Sequence, residues 1–297
     1  MKIDKTIRQV LGAIRWSIFG YGNYIRKPFR LRHGYELDLK DPKTFSEKIQ
    51  WIKIYGHTER LSKYVDKYQV REFVRMKIGE EVLVPLIGVY NKTKEIDFQS
   101  LPDSFVIKAT HGSGWVVIAK NKNNLDWYAA REEIDQWLKT NFYRIAGEPS
   151  YRAVKGRLVI ENCIKDPSGD LKDYRFFCFH GRPMYVAVDG HKYTGYKSAI
   201  CKRDIYDVEW NKLPFKIVYE NWHDPVARPD KLDDMLEICR DLSQDFPFVR
   251  VDLYLTEGRI YFGELTFTPF SGMKPFTPVR YDRIFGEHLD LNRYRRY

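Results

Sequence analysis

Apolar and polar positions alternate with period two along residues 248–255 (FVRVDLYL), break at Thr256-Glu257-Gly258, and alternate again along residues 259–267 (RIYFGELTF). Two such runs flanking a short glycine-bearing turn predict a β-hairpin. Asp252 and Glu264 then lie on neighbouring strands, with the Thr266 hydroxyl two residues further along, so two carboxylates and a hydroxyl can converge. That donor set suits Mg²⁺, which keeps several waters and is held by one or two carboxylates plus substrate phosphates. On a solvent-facing hairpin the same acids would be ordinary surface residues.

Upstream, residues 3–19 place Ile3, Ile7, Val10, Leu11, Ile14 and Ile18 among Lys and Arg, which predicts an amphipathic helix ending at the Gly-Tyr-Gly run 20–22. A basic tract follows at 26–32. Such an arm either docks on an anionic surface or packs on its own domain with its charges in water. Residues 41–54 carry a helix start with Thr44 or Ser46 as the cap, and residues 60–77 form one apolar stripe stopped by Gly79. A strand interrupted at Pro85 is expected over 82–90 and a buried one over 105–109. Thr110-His111-Gly112-Ser113-Gly114 then separates that strand from another apolar run, 115–119. Two glycines let backbone approach a ligand, and successive amide N–H groups can hold phosphate oxygens. The loop lacks the Gly-Lys-Ser/Thr of a Walker P-loop, and a plain hairpin fits it as well. Residues 127–143 read as a helix with Ile134, Trp137 and Leu138 inward. Residues 158–164 read as an apolar strand carrying Glu161, and 174–179 with 184–188 as a second hairpin. No period is visible over 189–231, which predicts a loop-dominated region, and 232–242 is a helix leading into the first-named hairpin.

Composition narrows the classes. The 297 residues are 43% hydrophobic and 30% charged, a globular balance without a disordered tract, repeat or flexible linker. A net charge of +10 favours an anionic partner. Basic residues are interspersed with acids and no base-reading module is present, so nucleic acid is not expected. Cys163, Cys178, Cys201 and Cys239 have neither Cys-x2-Cys nor finger spacing, which argues against zinc and fits a reducing compartment. No apolar run has the length of a membrane span and no signal-peptide pattern opens the chain, so a cytoplasmic enzyme or binding protein is expected.

In this order the pieces resemble the ATP-grasp superfamily, in the branch similar to the teichuronopeptide biosynthesis protein and related bacterial surface-polysaccharide proteins. The resemblance covers residues 39–272, and Lys43-Thr44-Phe45-Ser46-Glu47-Lys48-Ile49-Gln50-Trp51, residues 105–114 and residues 245–272 carry it. The 246–252 lead-in (FPFVRVD) and Ser271-Gly272 point to the branch. It implies an α+β fold in which two lobes hold ATP between them, with an N-terminal helical extension. The expected division is a basic helix and arm at 1–38, a helical or α+β region at 39–100, a small lobe with the Gly loop at 101–164, and a C-terminal lobe with the metal-binding hairpin at 165–297.

The resemblance further implies an ATP-dependent carboxylate–amine ligase working through an acyl phosphate, with ATP and Mg²⁺ as cofactors. Lys67 looks like the first nucleotide lysine, at the start of a helix, and Lys108 like the second, ending its strand before His111, Gly112, Ser113 and Gly114, which would fold over the phosphates. His111 fits a hydrogen-bonding or lid role there. Glu161, Asn162, Cys163 and Ile164 are similar to the segment joining the lobes, whose backbone would pair the adenine edge, and Asp173 stands where an acid often meets the ribose. Arg250 and Lys108 would act on the reacting phosphoryl group, and Asp252, Glu264 and Thr266 would hold metal. The family usually shows Glu-x-Asn with a proline three residues on; the string Glu264-Leu265-Thr266-Phe267-Thr268-Pro269 has Thr for Asn, which puts a second metal position in question. The implied partners are a uronate-type or other carboxylate acceptor and an amine, with peripheral contact at the inner face of the membrane through residues 1–32. The aromatics Tyr193, Tyr196, Tyr206, Trp210 and Trp222 could stack on sugar rings or fill a core. A glycosyltransferase of the same pathway and a non-catalytic ATP-binding scaffold are the competing readings; no Asp-x-Asp metal motif supports the former.

Overall fold

The computed structural model describes residues 20–195 and 198–296, and the predicted helix over 3–19 lies outside them. Helix α1 (Tyr21–His33) begins directly after Gly20, so the Gly-Tyr-Gly run starts a helix; Ile25 and Phe29 are buried and the basic tract faces out. Helix α2 (Phe45–Tyr55) is opened by a capping box in which Thr44 Oγ1 accepts from Glu47 N at 3.1 Å and Glu47 Oε2 accepts from Thr44 N at 3.0 Å. Thr44, not Ser46, is the cap.

The single helix expected over 60–77 is broken into a 3₁₀ turn (Thr58–Leu61), α3 (Ser62–Val65) and α4 (Val70–Ile78). Asp66 is the cause. Its buried carboxylate accepts from Tyr68 N at 2.8 Å and Gln69 N at 3.1 Å, and also pairs with Arg157 at 2.8 Å. A side chain that satisfies the next backbone donors competes with helix continuation. Lys67 therefore sits in a turn.

Strands β1 (Leu86–Tyr90), β2 (Phe105–Ala109), β3 (Val116–Ala119) and β4 (Leu158–Asn162) form an antiparallel sheet in the order β1-β4-β2-β3, so this sheet takes one strand from ahead of residue 101. Its inner face, with Phe105, Ile107, Ala109, Leu158 and Ile160, packs on Ile134 and Trp137 of α5 (Trp127–Lys139). That helix is shorter than expected, because Asn141 caps a separate turn, α6 (Phe142–Ala146).

A second antiparallel sheet contains β5 (Asp173–Phe179), β6 (Arg182–Gly195), β7 (Ser198–Asp207), β9 (Phe248–Thr256) and β10 (Arg259–Thr266) in the order β10-β9-β5-β6-β7. Strand β8 (Lys216–Ile217) pairs separately with β11 (Phe276–Thr277). Phe176, Val249, Val251 and Leu253 pack on Met235, Cys239 and Leu242 of α7 (Leu232–Ser243). On the opposite face Phe177, Phe179 and Phe248 meet Phe45 of α2 and Phe285 of α8 (Arg280–Glu287), with the Phe45 and Phe248 rings 5.1 Å apart. This apolar half covers only one end of that face, which leaves the end bearing Asp173, Arg175 and Tyr254 turned to a cleft.

Of the loop-dominated region expected over 189–231, residues 208–231 are irregular apart from β8, and the part up to Asp207 is the β6–β7 hairpin. Its alternation is hidden because interior positions carry charge: Asp189, Arg203 and Asp204 are fully buried, and Arg203 forks onto Asp189 at 2.5 and 2.6 Å. Tyr206 is buried in the core and stacks at 4.4 Å on the half-buried Trp210, so Tyr206 is not a sugar platform. Tyr193 and Tyr196 lie outside the described side chains. No helix among the described residues is long and apolar enough to cross a membrane.

His33 closes the α1 side of this core. Its ring stacks on Phe29 at 4.1 Å, its Nε2 lies 3.2 Å from Gly272 O, and burial pulls it from 6.5 down to about 4. The unfolded imidazole takes a proton near 6.5 that the folded one resists until about 4, so stability falls as pH drops through that window. Thermal melts at pH 7 and pH 4.5 are expected to differ less for His33→Phe than for the parent; an equal difference would remove His33 as the cause.

Candidate active site

The cleft between the two sheets has a volume of about 560 Å³. The first sheet contributes Lys108 and Glu161, the connecting chain Cys163 and Ile164, and the second sheet Asp173, Arg175 and Tyr254. Lys108 reaches the cleft because it alternates with Phe105, Ile107 and Ala109 on β2, whose side chains point into the core. Val106 is opposite Glu161 in the register, so Lys108 and Glu161 are diagonal neighbours on one face. Their Nζ and Oε2 are 2.7 Å apart, and Glu161 Oε1 accepts from Arg71 Nη1 at 2.9 Å. One buried carboxylate thus holds two cations in place.

Lys67 enters from the turn after Asp66. Its Nζ donates to Gly112 O at 2.5 Å, tethering the Gly loop. Burial pulls the Lys67 ammonium down, and the nearby Glu264 carboxylate is its main support against that pull.

The hairpin turn uses Glu257 (φ 48°) and Gly258 (φ 72°), both left-handed as a two-residue hairpin loop requires. Further along, the register slips by one residue between Phe262 and Glu264. This β-bulge at Gly263 changes the parity of β10. Ile260 and Phe262 face the α7 core before it and Leu265 after it, so Glu264 turns to the opposite face, directly across from Asp252. A Cβ at residue 263 would lie 3.0 Å from Asp252 O, which explains a glycine there.

Arg250 gathers the polar end of the hairpin. Its Nε and Nη2 fork onto Asp252 at 2.7 and 2.6 Å, and Nη2 also lies 3.1 Å from Thr266 Oγ1 and 3.3 Å from Glu264 Oε1. Thr266 Oγ1 donates to Glu264 Oε1 at 3.0 Å. Arg175, opposite Asp252 on β5, bonds Asp173 at 2.6 Å and lies 3.3 Å from Asp189 and 3.8 Å from Asp252. Burial pushes the Asp252 carboxyl up to about 7 against the pull of Arg250. Glu264 stays below its usual range: burial raises it, and Lys67 and Arg250 more than reverse the effect.

A family model described as TupA-like ATPgrasp matches residues 47–290. The chain belongs to the TupA-like ATPgrasp family. Solved structures similar to it include a D-alanine–D-alanine ligase from Bacillus anthracis complexed with ATP (16% identity, TM-score 0.40, covering 69% of this chain and 54% of that one). A phosphoribosylamine–glycine ligase from Thermotoga maritima (13%, TM-score 0.40, 72% and 51%) and the ATP-grasp ligase PsnB with its minimal precursor (9%, TM-score 0.38, 70% and 54%) are also similar. The chain spans about half the length of each of these three. No curated protein matches.

In this TupA-like ATPgrasp chain Lys108, Glu161, Asn162, Cys163, Ile164 and Asp173 line the cleft, as the sequence suggested, but two of them are committed differently. The Glu161 side chain is an ion-pair hub, and Asn162 N donates to Pro85 O at 3.0 Å, which leaves Cys163 and Ile164 as the backbone facing the space. His111 is a correction. It is buried beside Trp115, with Nε2 2.8 Å from Trp137 O, and borders a separate pocket behind the loop instead of the cleft. Gly112 is buried, Ser113 and Gly114 are exposed, and none of the three lines the cleft. Sequence reasoning missed Arg71, Arg175 and Tyr254. The signal for Arg175 was an arginine inside the aromatic strand DYRFFCF, where a charge needs buried partners.

Among the described residues no three His, Cys, Asp or Glu side chains form a metal-holding group. Asp252 and Glu264 face each other as a carboxylate pair whose Asp252 oxygens both accept from Arg250, so a hard cation would need phosphate oxygens beside them to complete its shell.

Proposed function

We propose that this chain is an ATP-dependent carboxylate–amine ligase, forming an amide on a uronic-acid-bearing sugar, glycan or acidic peptide of a bacterial surface polysaccharide. What carries the reading is that Lys108 and Arg175 line a cleft of about 560 Å³ and that Arg175 lies 3.8 Å from Asp252, which Arg250 joins to Glu264 beside Lys67. A second feature agrees with it: Asp173 Oδ1 is buried in the cleft wall without a hydrogen-bond partner, as suits a ribose hydroxyl. Family membership supports the ATP-dependent ligase class; the polysaccharide acceptor rests on the resemblance of the sequence to surface-polysaccharide proteins.

In this mechanism a carboxylate oxygen of the acceptor attacks the γ-phosphorus of ATP, and the bond to the ADP oxygen breaks, leaving an acyl phosphate. The amine nitrogen then attacks the acyl carbon, the C–O bond to phosphate breaks, and the nitrogen proton passes to solvent. Lys67 and Lys108 would neutralise the α- and β-phosphates. Arg250, aided by Arg175, would face the charge that builds on the γ-phosphoryl oxygens and on the acyl oxyanion. Asp252 and Glu264, with Thr266, would hold Mg²⁺, which supplies further charge neutralisation at the phosphates. The Gly loop, tethered through Gly112 to Lys67, would close over the phosphates and exclude water that hydrolyses the acyl phosphate. The exposed Lys27 and Arg32 of α1, beside Arg30 paired with Glu36, are compatible with contact to an anionic surface.

The test is ADP release across uronates crossed with amines in the presence of Mg²⁺ and ATP. Release dependent on both substrates, with an amide product by mass spectrometry, is expected. ADP formed without any amide across a broad panel would overturn the ligase reading.

A further inference from the structure

None of the residues 43–51 that mark the sequence lines the nucleotide cleft, yet beyond its capped first turn α2 carries two buried polar side chains, Gln50 and Lys53. Both point at the turn that follows β10. Gln50 Nε2 donates to Ser271 O at 2.7 Å and Gly272 O at 3.2 Å. Lys53 Nζ donates to Ser271 Oγ at 2.6 Å, to Ala146 O at 2.8 Å and to the Tyr21 hydroxyl, so its three hydrogens reach three segments of the chain. Glu148, the nearby carboxylate that supports the Lys53 charge, accepts from Thr268 Oγ1 at 2.7 Å, two residues beyond Thr266.

The turn needs such restraint. Phe270, Ser271 and Gly272 are consecutive left-handed residues, with φ of 53°, 55° and 63°. Phe270 and Ser271 adopt this conformation against their own Cβ atoms, so surrounding contacts must impose it. A Cβ on residue 272 would meet Gln50 Nε2 and Ile49 Cγ2 at 2.9 Å, which shows how closely α2 is applied to it. The conformation sets the Phe270 ring 5.7 Å from the Arg250 guanidinium and 4.9 Å from that of Arg203. Arg250 is the group that contacts Asp252, Glu264 and Thr266 together.

We propose that Gln50 and Lys53 are positioning residues: they hold the Phe270–Gly272 turn in its left-handed form, which seats Phe270 on Arg250 and fixes the reacting end of the cleft. The base-binding end, at Cys163 and Ile164, lies outside their reach. This rests on the ATP-site reading for its catalytic part only.

The test combines amide hydrogen exchange of residues 267–273 with nucleotide binding and ADP release, in the full chain, for Lys53→Met, Gln50→Leu, Lys53→Arg and Phe270→Leu. In Lys53→Met and Gln50→Leu the exchange of this segment is expected to quicken about tenfold, with Lys53→Arg recovering part of the protection. Mg²⁺–ADP affinity by calorimetry stays within about twofold, while kcat for ADP release falls about thirtyfold. Phe270→Leu, which keeps the anchor and avoids any failure of Lys53→Met to fold, lowers kcat while leaving exchange unchanged. Unaltered exchange in Gln50→Leu and Lys53→Met overturns the anchoring. Quickened exchange in Lys53→Met and Gln50→Leu with unaltered kcat, or unaltered kcat in Phe270→Leu, overturns the positioning role. A parent chain that binds no nucleotide defeats the ATP reading instead, and the exchange data still decide the anchor.

Discussion

Glu264→Gln is expected to lower ADP release by about 10²- to 10³-fold, the scale of losing one aimed electrostatic contact in a water-poor site. The melting temperature should move little. The Glu264 side chain is 32% exposed, and glutamine keeps its shape and can still accept from Thr266 and Arg250. What it loses is charge. Lys67 forfeits the carboxylate that most supports its buried ammonium, and the proposed Asp252–Glu264 metal pair would lose one of its two charges. Raising Mg²⁺ should recover part of the rate, since weaker metal affinity is overcome by concentration. Full activity of the variant at low Mg²⁺ would remove Glu264 from the metal site.

Arg250→Met is expected to strike stability as well as rate. It strands Asp252, 3% exposed, without the guanidinium that takes both its oxygens at 2.7 and 2.6 Å. Breaking a buried pair from one side costs about 3–5 kcal/mol, or a drop in melting temperature of roughly 10 °C in a chain of this size. ADP release should fall at least as far as in Glu264→Gln if Arg250 faces the developing phosphoryl charge, as proposed above. Burial already pushes Asp252 up to about 7, and removing Arg250 raises it further. The stranded carboxyl is neutral below that value, so the deficit in stability should shrink as the pH is lowered from 8 toward 5. The double variant Arg250→Met with Asp252→Leu separates the two effects. It should regain most of the lost melting temperature and none of the activity. Recovery of neither would mean that the pair's stabilising role has been misjudged.

Local chemistry carried much of this architecture. The Thr44–Glu47 capping box, the hairpin around Glu257-Gly258 and the strand that turns Lys108 away from Phe105 and Ile107 all follow from interactions within a few residues. So does the convergence of Asp252 with Glu264 in outline, although the mechanism was not the uninterrupted alternation assumed. Strict period two places Glu264 on the Phe262 side, in the α7 core; the bulge at Gly263 brings it across. The alternation of Ile260 and Phe262 followed by Leu265 and Phe267 recorded that change of parity, and only the paired strand shows which residue is extra.

Alternation reports apolar burial, and it fails where buried positions hold charges that satisfy one another. Asp189 and Arg203 disguised the β6–β7 hairpin in this way, and Asp66, buried against Arg157, broke a helix whose apolar stripe ran on without interruption. By itself the sequence determined the α+β composition, the capped helix, the strands that carry Lys108 and Glu161, and the pair of acids on the last hairpin, because propensity, capping and side-chain period act locally. Tertiary structure alone decided that Glu161 is shared by Lys108 and Arg71, that His111 turns away from the cleft, that Arg175 enters it, and that α2 grips the turn beyond Thr266. Each of these depends on desolvated charges and hydrogen bonds between residues tens to hundreds of positions apart, where burial and partner are defined only once the chain has closed on itself.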